Sequence, residues 1–109
     1  MEIYYLYNDE RDEIEAIAKG YRNDVYVKTT TGMYHVHIYD IVRLQQDFED
    51  EQQEQGYYSI DHNLILVEEV SKKVVVNTVK KLEEEGYFEK IKPLEEAIIQ
   101  ELPFKHIIN

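Results

Sequence analysis

Apolar and polar positions alternate on both sides of Thr31-Gly32 in the run DVYVKTTTGMYHVHIYD, Asp24 to Asp40, and a period of two marks half-buried β-strands. With Thr31-Gly32 as a two-residue loop, the run predicts a hairpin pairing Thr30 with Met33, Lys28 with His35, Tyr26 with His37 and Asp24 with Tyr39. One face then carries Val25, Val27, Val36 and Ile38, with Thr29 and Tyr34 beside them, and is the expected core side. The other carries Tyr26, Lys28, His35, His37 and Tyr39, wide rings with polar tips, expected at least partly exposed and suited to contact.

Elsewhere the period lengthens to that of a helix. Ile14, Ile17, Ala18 and Tyr21 recur at i, i+3, i+4 and i+7 between an N-capping Asp9 and Gly20, which predicts a helix over Glu10–Lys19; the same stretch also reads as a strand over Glu13–Lys19. Ile41, Leu44 and Phe48 predict a second helix, with Asp40 as its cap and Gly56 closing it. Ser71 caps a third with Val75, Thr78, Val79 and Leu82 on one stripe, ending at Gly86 with Tyr87 or Phe88 placed for a glycine C-cap contact. Ile3 to Tyr7 suits a first strand, and the uninterrupted apolar run Leu64 to Val67 suits one covered on both faces. Pro93 and Pro103 bracket a last short helix within Leu94 to Leu102. The expected fold is therefore α+β in one domain, residues 1–109: a single sheet built on the central hairpin (about 24–39), helices on one face, and a split βαβ plan (βαββαβ) extended by a C-terminal helix. That plan puts the last strand at a sheet edge, in tension with its two-sided apolar run.

Charge narrows the class of partner. Asp and Glu number 23 against 12 Lys and Arg, for a formal net charge of -11, a field that repels nucleic acid and anionic membranes and steers a basic protein inward. The carboxylates concentrate between Asp40 and Asp61, where seven of them face Arg43 alone, and Tyr57-Tyr58 follow at once. Ten tyrosines in 109 residues add a residue type favoured at protein contacts. The candidate partner-binding set is Asp47, Asp50, Glu51 and Glu54 for charge, with Tyr57, Tyr58, Tyr26 and His37 as anchors.

Catalytic chemistry finds little support. The chain has no cysteine, which removes thiolate ligands and nucleophiles and suits a reducing cytoplasm, and no glycine-rich phosphate loop. His35 and His37, two apart in a strand, project from one face as metal ligands do, with Asp24, Asp40 or His62 to be recruited by folding. Adjacent carboxylates such as Glu68-Glu69 suit solvated ends rather than acid–base work. A non-enzyme is expected, without cofactor or metal. No apolar run reaches membrane-spanning length, and the acidic start MEIYYLYNDERDE is unlike a signal peptide.

The segment Asn63 to Pro93, NLILVEEVSKKVVVNTVKKLEEEGYFEKIKP, is similar to the closing strand and helix of small acidic immunity proteins of bacterial contact-dependent and other polymorphic toxin systems. The resemblance covers about a third of the chain and implies a cytoplasmic, non-catalytic protein that binds and neutralises a cognate toxin domain, often a nuclease. Two other readings share some of the same features: a nucleic-acid mimic blocking a defence or regulatory protein, and a small metal-binding enzyme using His35 and His37.

Overall fold

The computed structural model describes residues 1–7 and 9–103. Its elements are β1 (Glu2–Tyr5), α1 (Glu10–Lys19), β2 (Tyr21–Thr29), β3 (Gly32–Tyr39), α2 (Ile41–Gln55), β4 (Leu64–Leu66), α3 (Lys72–Glu84), a 3-10 turn (Tyr87–Glu89) and α4 (Glu96–Glu101). The fold is α+β, as the sequence pattern predicts. Capping residues set the helix ends where expected: Asp9 and Asp12 form a reciprocal capping box on α1, Asp40 accepts from the Arg43 N–H, and Ser71 accepts from the Val74 N–H.

The strands lie in the order β1-β2-β3-β4, the first two pairings antiparallel and the last parallel. This is not the strand order of a split βαβ unit, because β1 and β2 are direct antiparallel neighbours. The caps of α1 and its attachment at Glu13 return the chain to the end of the sheet it left, where the Leu6 N–H meets the Asp24 carbonyl. β4 takes the edge position that the sequence placed in tension with two-sided burial. Only Ile65 is buried and Leu66 is 49 % exposed, since a three-residue edge strand has cover on one side only.

The hairpin register also differs from expectation. Thr29 pairs with Gly32, Lys28 with Met33, Tyr26 with His35 and Val25 with Val36, so Thr30-Thr31 is the loop. Between Val25 and Val36 every partner moves by two residues, which leaves those side chains on their expected faces. Gly32 is needed for another reason: its φ is +149°, and a Cβ there would meet Pro93 at 2.8 Å. Farther along, Arg22 pairs with Ile38 and Val25 with Val36, so Asn23 and Asp24 together oppose His37 in a β-bulge. Asp24 therefore does not pair with Tyr39; Tyr21 does.

The core lies on the face of Ile3, Tyr5, Val25, Val27, Tyr34, Val36 and Ile38, closed by Val70, Val75, Val79 and Phe88. Helical cover of that face comes from α3 and the 3-10 turn, with Tyr34 and Phe88 rings 5.2 Å apart. Neither α1 nor α2 buries a residue. Their apolar stripes look outward, Ile14 being 62 % and Ile41 51 % exposed, contrary to the usual arrangement. The inward side of α1 carries Glu13 and Ala16 instead. Arg22, 3 % exposed on the core side, is held by Asp24 at 3.0 Å, by Glu13 of α1 at 3.2 Å and by the Val70 carbonyl at 3.1 Å. Turning α1 to bury Ile14 would take Glu13 away from both the guanidinium and the Lys72 N–H.

Where β4 stops, the edge of β3 is completed by other groups. The Asn63 side-chain amide donates to the His35 carbonyl at 3.0 Å, and the Leu94 N–H donates to the Met33 carbonyl at 2.7 Å. Among the described residues no helix is long and apolar enough to cross a membrane.

Candidate functional site

The face opposite the core carries a column of rings. Tyr26 and His35 stack with centroids 4.2 Å apart and planes 7° from parallel, and His35 lies 4.5 Å from His37. The bulge fixes this column, because the carbonyl of Asn23 accepts from the His35 ring Nε2. Asp61 lies 3.9 Å from the His37 ring, and the His37 backbone N–H donates to the Asn63 carbonyl. An open cleft of about 540 Å³ beside it is lined by Asp61, His62, Asn63, Lys90, Ile91 and Lys92.

At the end of the same face α2 joins the column. Tyr21 and Tyr39 pack with ring centroids 5.6 Å apart, the Arg43 guanidinium sits 4.4 Å over the Tyr21 ring, and Arg43 pairs with Asp47 at 2.9 Å, one helical turn on. Burial, together with the neighbouring Tyr58 and Asp47, pushes the Tyr39 hydroxyl pKa well up. Asp47 of α2 and Tyr58 of the following loop thus converge on Tyr39, which stands two residues from His37 on one strand.

The expected site residues divide accordingly. Asp47 and Tyr58 lie beside Tyr39, while His37, two residues away on the same strand, faces His35 and Asp61. Asp50 and Glu54 are exposed on α2, Glu51 is half-buried and accepts from the Gln55 amide, and Tyr57 stands 59 % exposed in the loop. Tyr26 is a correction. It is 7 % exposed, because the His35 ring covers it, so it supports the surface and is not free to anchor a partner. The sequence pattern placed Tyr39 on the contact face but missed Tyr21 and Arg43, which with it join helix to sheet; the Arg43/Asp47 spacing of four was the available signal. Among the described residues no group of three or more His, Asp or Glu is arranged to hold a metal ion, and His35 is already engaged with Asn23.

The His37 imidazole carries a pH dependence. Burial, and next His35, hold its pKa below the ordinary 6.5, against an opposing pull from Asp61. The unfolded chain therefore takes up a proton that the folded chain resists, so His37 makes stability fall as pH drops below about 6.5. Urea unfolding of the parent and His37→Gln on either side of that pH is expected to show a smaller loss in the variant; equal losses would mean His37 is not responsible.

The chain matches no family model, no curated protein and no solved structure.

Proposed function

We propose that this chain is a non-catalytic cytoplasmic immunity protein that binds and neutralises a cognate bacterial toxin domain, a basic nuclease, through the surface formed by α2, the Gly56–Asn63 loop and the His37–Tyr39 end of β3. The observation that supports this most is the packing of Arg43, paired with Asp47, over Tyr21 and of Tyr21 against Tyr39, which joins the acidic helix to the aromatic strand face. A nuclease needs a basic surface to hold its substrate. Exposed carboxylates at Asp50 and Glu54 beside an exposed Tyr57 offer that surface charge for steering and an aromatic side chain for anchoring. The formal charge of -11 acts in the same direction and disfavours free nucleic acid as a ligand.

The test uses the toxin domain encoded beside this chain's gene, produced with its catalytic residue inactivated. It is expected to bind the parent chain in a calorimetric titration and to lose its toxicity when the two are co-expressed in active form. Tyr57→Ala or Tyr58→Ala should weaken binding by about 2 kcal/mol if that tyrosine is a hot spot. A neighbouring domain that neither binds nor is neutralised would contradict the proposal, as would a mobility shift of free DNA or RNA by the parent at physiological salt.

A further inference from the structure

α2 is docked the reverse of an ordinary amphipathic helix. Arg43 and Asp47 face the sheet through Tyr21 and Tyr39, Leu44 is half-buried, and the large apolar residues Ile41, Val42 and Phe48 are respectively 51 %, 59 % and 46 % exposed. At 3.6 residues per turn Ile41 and Phe48, seven apart, share one stripe that lies about 100–120° round the helix from Asp47. Gln45 and Gln52 continue this stripe, Glu51 borders it toward the sheet, and Glu49 borders it on the far side. Leaving such a stripe in water has a cost that folding of this chain does not recover.

We propose that the Ile41/Phe48 stripe of α2 inserts into an apolar groove rimmed by Lys and Arg on the partner protein, so that these two aliphatic and aromatic side chains slow dissociation alongside the loop tyrosines. Ile41 and Phe48 stand at i and i+7, two of the four anchor positions by which amphipathic helices occupy grooves. Charge complementarity selects the occupant. Acidic borders on both sides of the stripe fit a basic groove, whereas a second copy of this chain would bring Glu49 and Glu51 against their own equivalents. This inference rests on the proposed partner-binding role and names how that role is carried out.

Because both side chains are exposed, Ile41→Ser/Phe48→Ser should fold as the parent does by circular dichroism. Against the adjacent-gene toxin domain the double variant is expected to dissociate roughly 30-fold faster, with its association rate and salt dependence kept. Ile14→Ser/Ile17→Ser, which alters the outward stripe of α1, should leave both rates unchanged. If the α2 variant dissociates like the parent, or the α1 variant is the one that loses binding, the groove assignment is overturned while the partner-binding role stands. A parent chain that fails to bind the domain overturns both. Sedimentation that finds a parent dimer converted to monomer by Phe48→Ser would assign the stripe to self-association and overturn the inference.

Discussion

Replacing Arg22 with Met is expected to destabilise the protein by about 3–5 kcal/mol, the cost of breaking a buried ion pair by removing one partner. Arg22 and Asp24 are each 3 % exposed, and the carboxylate receives both Nε and one terminal nitrogen of the guanidinium. Burial opposes the Arg22 charge, but Asp24 and Glu13 more than compensate, and the guanidinium pKa is held above its ordinary value. The same side chain ties three elements together. It reaches Glu13 of α1 and the Val70 carbonyl ahead of α3, and Glu13 in turn accepts the Lys72 N–H at the start of α3. Met fills much of the volume but leaves the buried Asp24 carboxyl without its guanidinium partner. Arg22→Met/Asp24→Leu, which removes both buried charges, should recover part of the loss. Urea unfolding that places Arg22→Met within about 1 kcal/mol of the parent would contradict this account of the network.

Val36→Asp is expected to cost about 4 kcal/mol, because it places a carboxylate with no partner in the middle of the core. Val36 is fully buried, opposite Val25 in the hairpin and in one cluster with Ile38, Val75 and Val79. The same substitution at Val42 makes the contrast. Val42 is exposed in the first turn of α2, where a negative charge meets the positive end of the helix dipole, so Val42→Asp should be neutral or slightly stabilising. Thermal unfolding of both variants separates burial from the chemistry of the exchange. Equal midpoints would show that the Val25/Val36 face is not the core.

These two substitutions also mark what was legible in the chain. Alternation assigned Val25, Val27, Val36 and Ile38 to the buried face, and Asp9, Asp40, Ser71, Gly56 and Gly86 marked helix ends, because capping and period two act locally. Register was not legible: sliding the hairpin by two residues preserves both faces, so only the Thr30-Thr31 loop and the approach of Pro93 to Gly32 decide it. The bulge at Asn23-Asp24 was equally hidden, since alternation carries no mark of the extra residue it inserts between Arg22 and Val25. In α1 periodicity detected a stripe that it could not orient. For the candidate site, the acidic and tyrosine-rich segments were visible in the sequence. Their junction at Tyr39 was not, because it depends on α2 folding back across the end of β3.

The most direct test of the proposed partner-binding surface is the stopped-flow association rate of the parent chain with the toxin domain proposed as its partner, followed as salt rises from about 0.01 M to about 1 M and the screening length shrinks from roughly 30 Å to 3 Å. The parent rate should fall steeply with salt, and Asp50→Lys/Glu54→Lys should associate about tenfold more slowly at low salt with a shallower dependence. Rates that stay flat with salt and are identical for parent and variant would contradict an acidic docking surface on α2.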